Sequence, residues 1–185
     1  MLTNDAWEKA KQFKVQQKAT EFMTLLRIME GLNVAEVLEI GTNTGGTARA
    51  FLEIGCDVTS IDKEVFKEHT ALIQDFGTAI KLVTGDSTSP IVIQHVHEIY
   101  LADKVDMLYI DGWHDQKVST LDYANYKDLV KEDGLIVFHD IVNSPLHRQQ
   151  QCEVWKTWAK AKKGKRWLEL VGEDDRWGGL GVLFL

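Results

Sequence analysis

The sequence predicts a doubly wound α/β domain in which five parallel strands with helices on both faces are followed by an antiparallel hairpin. Three observations predict it. Short apolar runs alternate with helix-patterned stretches from residue 36 to residue 138, the order that gives a parallel sheet. The runs are continuously apolar rather than alternating, as expected for strands covered on both faces. The last two runs, 167–171 and 179–185, are separated only by the turn-rich 172–178. That gap is too short for a crossover helix, so they pair antiparallel.

The chain reads as one domain, 1–185, with an N-terminal helical segment at 1–31 and a core at 32–185. Asn4 or Asp5 can cap a first helix. Phe22, Leu25, Leu26, Ile28 and Met29 recur at helical spacing, and Gly31 is a stop signal. Strands are expected at 36–40, 57–61, 80–83, 105–110 and 135–138. Ser89-Pro90 and Ser144-Pro145 each read as an N-cap followed by proline at the first helical position.

Composition narrows the function. With 44% hydrophobic and 26% charged residues the chain can build a core, so it is not disordered. The net charge of -7 argues against nucleic acid as the main partner. The basic run Lys156, Lys160, Lys162, Lys163, Lys165 and Arg166 reads as the solvated face of a helix. Cys56 and Cys152 form no CxxC pair and read as reduced structural thiols. No apolar run reaches the ~20 residues of a membrane helix, and no secretion signal is visible. A cytoplasmic protein is expected, with no membrane partner and with a homodimer allowed for.

The first strand runs into a glycine turn and then a helix, in "VLEIGTNTGGTARA", with the acidic Glu39 inside the apolar run. Such turns aim backbone N–H groups at a ligand. A triphosphate loop needs Lys and Ser or Thr after its last glycine, but Thr47 and Ala48 follow Gly46. A dinucleotide fingerprint needs glycine where Asn43 stands. Two acids sharpen the reading: Asp62 ends the second strand about twenty residues after Gly41, and Asp86 follows the third. A carboxylate can accept two hydrogen bonds from a ribose diol, and another can accept one from an adenine amino group. The set suits a nucleoside without a pyrophosphate.

In order, "VLEIGTNTGGTA", "VTSID", "LVTGD", "VDMLYIDGWHD" and "GLIVFHDI" resemble the successive motifs of class I S-adenosylmethionine-dependent methyltransferases. The resemblance covers roughly residues 20 to 185, including the terminal hairpin of their Rossmann-like seven-stranded sheet. It is nearest to small-molecule O-methyltransferases of the catechol O-methyltransferase-like, cephalosporin-hydroxylase-like and sugar-methyltransferase kinds. It implies that Glu39 and the turn Gly41, Thr42, Asn43, Gly45 and Gly46 hold the methionine part of the cofactor. Asp62, with Lys63 beside it, would take the ribose, and Asp86 with Ser87 the adenine end.

The same resemblance assigns the loop "YIDGWHDQ". Asp111 matches a metal-binding aspartate, Trp113 an aromatic that packs on the adenine, and His114 a basic catalytic residue that is lysine in the family. Histidine suits that place because its unperturbed pKa lies near working pH. Asp140 matches one acid of a metal-binding pair after the fifth strand, while its neighbour, His139 or Ile141, departs from the pattern. Successive strand residues face opposite ways, so His139 and Asp140 share a metal only if the strand has ended. Asn143 is another oxygen ligand to consider. Two aspartates and water suit Mg²⁺, whereas a histidine nitrogen would suit Mn²⁺, Fe²⁺ or Zn²⁺. His95 and His97, two apart on a helix, do not share a face and read as ordinary helix residues.

The expected function is methyl transfer from S-adenosylmethionine to a hydroxyl of a small-molecule acceptor, assisted by Mg²⁺ or Mn²⁺. Asp111 and Asp140 are the expected metal ligands, and His114 is the expected base with His139 as runner-up. An NAD-dependent oxidoreductase and an inactive cofactor-binding partner subunit remain as alternatives.

Overall fold

A computed structural model describes residues 2–174 and 176–185. Asp175, in the turn expected between the last two strands, and Met1 lie outside the described residues. Seven strands form one sheet in the order β3-β2-β1-β4-β5-β7-β6. The strands are β1 (Glu36–Ile40), β2 (Asp57–Asp62), β3 (Ile80–Thr84), β4 (Val105–Ile110), β5 (Val130–His139), β6 (Arg166–Leu170) and β7 (Leu180–Phe184). The first five run parallel. β7 is antiparallel to both β5 and β6 and lies between them, as its apolar sequence requires.

Eight α-helices accompany the strands among the described residues: α1 (Leu2–Gln12), α2 (Ala19–Gly31), α3 (Gly46–Glu53), α4 (Glu68–Phe76), α5 (Pro90–Ile99), α6 (Gln116–Tyr126), α7 (Pro145–Gln149) and α8 (Val154–Ala161). They bury two apolar clusters, one on each face of the sheet. Phe22, Leu25 and Met29 of α2 join Phe51 and Tyr109 in one, and Val96, Tyr126 and Trp158 join Leu108 and Phe138 in the other. Trp158 lies so close over β7 that a Cβ on Gly181 would come within 2.6 Å of its ring. Glycine at that strand position therefore admits the indole.

Three expectations are corrected. The first helix begins at Leu2, so Asp5 sits in its first turn and neither Asn4 nor Asp5 caps it. β5 begins at Val130 rather than at residue 135, because Val130 pairs with Val105 before the register shifts. The exposed polar stretch Glu132-Asp133 hides that start as a turn. Ser144 caps α7 through the His147 N–H, whereas Ser89 holds the capping backbone angles without a side-chain hydrogen bond. On the basic face, Lys162 pairs with Glu169 at 2.6 Å and is only partly exposed. None of the described helices is long and apolar enough to cross a membrane.

Candidate active site

The strand order reverses between β1 and β4, and ligands of open α/β sheets bind at the carboxyl ends of strands beside such a switch. A cleft of about 1000 Å³ opens there. Its walls are the turn after β1, the ends of β2 and β3, the loops after β4 and β5, and the strap 14–17 joining α1 to α2. The floor is tight. Gly41 has φ +98°, and a Cβ there would lie 2.1 Å from the Asp111 carbonyl oxygen. Only glycine lets the chain leaving β1 pass this close to the chain leaving β4.

One half of the cleft is built from polar groups that, Asp122 Oδ2 apart, pair with one another. Asp62 accepts the Asn43 N–H at 2.6 Å through Oδ2 and the Glu64 N–H at 3.0 Å through Oδ1. This holds Asn43 in its left-handed conformation, and His69 Nε2 meets the Asn43 carbonyl at 2.7 Å. Ser60 Oγ and Thr42 Oγ1 lie 2.6 Å apart. Below them the fully buried Glu39 takes the hydroxyls of Thr47 and Ser60. Burial pushes the Glu39 pKa up to about 7 against the pull of those two hydroxyls. Ser87, at the end of β3, donates to Asp122 Oδ1 at 2.7 Å, and its carbonyl accepts the Tyr126 hydroxyl at 2.6 Å. Asp122 is fully buried, which raises its pKa to about 6.

Of the residues implicated in cofactor binding, Gly41, Thr42, Asn43, Gly46, Asp62, Lys63, Ser87, Asp111 and Trp113 line the cleft. Trp113 stands at the rim, 66% exposed, instead of packing into the core. Glu39, Gly45 and Asp86 do not form the wall. Glu39 lies a layer beneath it, and Gly45 faces the Leu72 side chain. Asp86 turns to the Thr88 N–H at 2.9 Å, the Thr88 hydroxyl at 2.8 Å and Lys63 at 3.0 Å. These partners, the Thr88 N–H foremost, lower its pKa to about 2.

The other half gathers three imidazoles, two carboxylates and a thiol. β5 ends at His139, and Asp140 follows with φ +61°. That left-handed step breaks the strand alternation, so His139 and Asp140 turn to the same place. Backbone strain of this kind costs about 1–3 kcal/mol and persists where the surroundings enforce it. His139 Nδ1 lies 2.9 Å from Asp111 Oδ1 and 3.5 Å from Asp140 Oδ2. Yet neither ring nitrogen of this buried histidine makes a hydrogen bond. The oxygens are near but lie off the N–H direction. A buried polar group left so costs about 1–3 kcal/mol.

His114, half exposed, meets Asp140 Oδ2 through Nδ1 at 2.6 Å. That hydrogen bond, with Cys152 nearby, raises its pKa to about 10. Burial lowers the His139 pKa, but Asp111 and Asp140 outweigh it and raise it well above the usual value. Burial alone would lift the Asp140 pKa, and the imidazoles of His139, His114 and His147 hold it far below the carboxylate range instead. Asp111, His139 and Asp140 place one ligand atom each within 4.8 Å of one another, and so do His114, Asp140 and Cys152. The donor set of the first group fits a divalent cation, and the orphaned His139 ring supports that fit. Asn143 is excluded from it, since its Oδ1 accepts from Arg148 at 2.7 Å and it does not line the cleft.

Several site residues escape sequence reasoning. Gln17 Nε2 donates to Asp111 Oδ2 at 2.6 Å and fixes that carboxylate from the strap. His147 approaches Asp140 Oδ1 at 3.4 Å. Its Nδ1 meets the Val142 carbonyl at 2.7 Å and its Nε2 lies 3.2 Å from the Gly178 nitrogen. Burial lowers its pKa, but Asp140, Cys152 and the Val142 carbonyl outweigh that and raise it to about 10. Cys152 is buried as expected and also lines the cleft. Trp177 is carried to the wall by the loop before β7. Glu21 of α2 holds that loop, accepting the Gly172 N–H at 2.7 Å and the Gly179 N–H at 2.9 Å. Lys18 joins the latch through the Trp177 carbonyl at 2.6 Å. The one sequence signal for any of these is Ser144-Pro145, which starts α7 and so sets His147 in its first turn.

Residues 38–141, more than half of the chain, match the methyltransferase domain family. The chain belongs to that family. It is a class I S-adenosylmethionine-dependent methyltransferase, and the oxidoreductase alternative is set aside. No curated protein matches the methyltransferase at the sequence level. Its fold is shared with a Staphylococcus aureus protein provisionally designated a caffeoyl-CoA O-methyltransferase. That pair is 20% identical with a TM-score of 0.71, over 99% of this chain and 92% of the other. The O-methyltransferase TomG of Streptomyces achromogenes, solved with S-adenosylmethionine, is 12% identical with a TM-score of 0.68, over 100% and 89% of the two chains. MycE of the mycinamycin pathway, solved with Mg, S-adenosylhomocysteine and mycinamycin VI, is 16% identical with a TM-score of 0.58, over 85% and 47%.

Proposed function

We propose that this methyltransferase methylates a hydroxyl oxygen of a small-molecule acceptor with the help of a divalent cation on Asp111 and Asp140. The observation that carries this reading is the continuity of the cleft. One wall runs from the glycine turn and Asp62 to Asp111, His139 and Asp140, so a cofactor on the turn presents its methyl group beside the carboxylates. A volume of about 1000 Å³ is at the upper end of small-ligand pockets and holds a cofactor together with a small acceptor. TomG and MycE, whose folds resemble this one, were solved with S-adenosylmethionine and S-adenosylhomocysteine, and MycE also with Mg.

The Asn43 and Asp62 pair anchors the ribose side, and Ser87 rather than Asp86 faces the adenine end. Because Ser87 donates its proton to Asp122, its oxygen is left as an acceptor for an amino group. The acceptor oxygen attacks the methyl carbon in line, the carbon–sulfur bond breaks, and the sulfonium becomes a neutral thioether. The acceptor's proton must leave. A cation held by Asp111 and Asp140 would lower the pKa of a bound hydroxyl. His114, on the cleft wall beside Asp140, is the proton acceptor. Asp140 raises the His114 pKa to about 10, and positive charge beside Asp140 would return the imidazole toward its basic form.

Turnover with a panel of phenols, catechols and sugars tests the reading. Excess EDTA is expected to abolish methyl transfer, and Mg²⁺ or Mn²⁺ to restore it, with cofactor binding by calorimetry nearly unchanged. Full turnover in excess chelator would remove the cation and leave histidine base catalysis.

A further inference from the structure

We propose that His139 is itself a ligand, making the cation site a mixed nitrogen–oxygen centre that selects Mn²⁺, Fe²⁺ or Co²⁺ over Mg²⁺. This rests on the cation reading above and adds the third ligand and the class of ion. His139 is 4% exposed, and neither of its ring nitrogens has a hydrogen-bond partner. In the core of a protein an imidazole is ordinarily paired at one nitrogen at least. Here Nδ1 has two carboxylate oxygens at 2.9 Å and 3.5 Å, from Asp111 and Asp140, and is aligned with neither.

Those separations have a simple geometric meaning. Ligands about 2.1 Å from one ion and at right angles to each other stand about 3 Å apart. The nitrogen thus stands from each oxygen at about the spacing of neighbouring corners of a coordination shell, and all three atoms lie within 4.8 Å of one another. Each carboxylate also meets a neighbour through its other oxygen, Asp111 Oδ2 taking Gln17 at 2.6 Å and Asp140 Oδ1 facing His147 Nε2 at 3.4 Å. Such outer contacts orient metal ligands. Oxygen-only sites suit Mg²⁺, while an imidazole nitrogen raises affinity for first-row transition ions in the order Mn²⁺, Fe²⁺, Co²⁺. The left-handed step at Asp140 is what brings the two residues together, since in a regular strand the Asp140 carboxylate would point to the face opposite the His139 ring.

The test uses the whole protein, stripped of metal, with Mn²⁺ and Mg²⁺ as probes. Mn²⁺ binding is read from loss of the free-ion EPR signal, with Mg²⁺ as competitor, in wild type and in His139→Asn. One Mn²⁺ per chain is expected, displaced by Mg²⁺ only at roughly tenfold or greater excess over Mn²⁺. Electron spin-echo modulation from a coordinated imidazole nitrogen is expected in wild type and is expected to vanish in His139→Asn. That variant should keep S-adenosylhomocysteine binding, which shows that it folds, while its preference for Mn²⁺ falls by roughly tenfold. Equal Mn²⁺ and Mg²⁺ affinities in wild type, or nitrogen modulation that persists in His139→Asn, would overturn the inference and leave the Asp111–Asp140 cation site standing. Absence of any Mn²⁺ or Mg²⁺ binding to wild type would overturn both.

Discussion

The two halves of the cleft solve opposite problems. Beneath the glycine turn, the polar groups that hold the turn answer one another: Asp62 takes two backbone N–H groups and Glu39 takes two hydroxyls. Beyond Gly41, at the ends of β4 and β5, His139 has no hydrogen bond and three imidazoles crowd one carboxylate. The first half is a finished surface that waits for a ligand to dock. The second sets a buried imidazole beside two carboxylates with no hydrogen bond to either.

Gly41 belongs to both halves, and changing it should do the most damage. Gly41→Ala would drive a Cβ to 2.1 Å from the Asp111 carbonyl at a positive φ. A loss of roughly 3 kcal/mol or more in urea unfolding is expected, with loss of cofactor and Mn²⁺ binding together. Retained stability would mean that the two loops can separate.

The finished half should betray its buried acid through pH. Glu39 titrates at about 7 when folded against 4.5 for the ordinary group. A pKa raised by folding gives stability that is present below pH 4.5 and is lost as pH rises to about 7. Glu39→Gln cannot ionise, so its stability should gain on wild type across that window, by about 3 kcal/mol in all. Urea midpoints at pH 5 and pH 7.5 check this, and parallel pH curves for the two proteins would refute it. Asp62→Ala is the gentler probe of the same half. Losing its contact to a ribose should weaken S-adenosylhomocysteine by about 1–3 kcal/mol in calorimetry while leaving Mn²⁺ binding alone.

The same contrast explains what the sequence discloses. Strands, glycine turn and hairpin are legible because they rest on apolar runs and on glycine spacing, which are local signals. Asp62, Asp111 and Asp140 are legible because they sit at strand ends, where the fold class already points. The convergence of His139 and Asp140 is not, because it turns on one backbone angle at Asp140. The partners of Asp86 and Glu39 are hidden for a related reason: sequence places them at the loop but cannot show that Thr88, or Thr47 and Ser60, donate to their oxygens. His147, Cys152, Gln17 and Trp177 come from segments distant in sequence from the motifs, and only the folded chain brings them to the cleft.

The place of β7 has a consequence for how the chain is made. β6 is synthesised before β7, yet β7 occupies the slot between β5 and β6. Until β7 has left the ribosome, β5 keeps an open edge and β6 has no neighbour to pair with. An open apolar edge is a template for aggregation. The latch of Glu21 and Lys18 must wait too, since the Gly172 and Gly179 N–H groups and the Trp177 carbonyl it grips flank the same late strand. Trp177, just before β7, is therefore the last-made residue of the cleft wall.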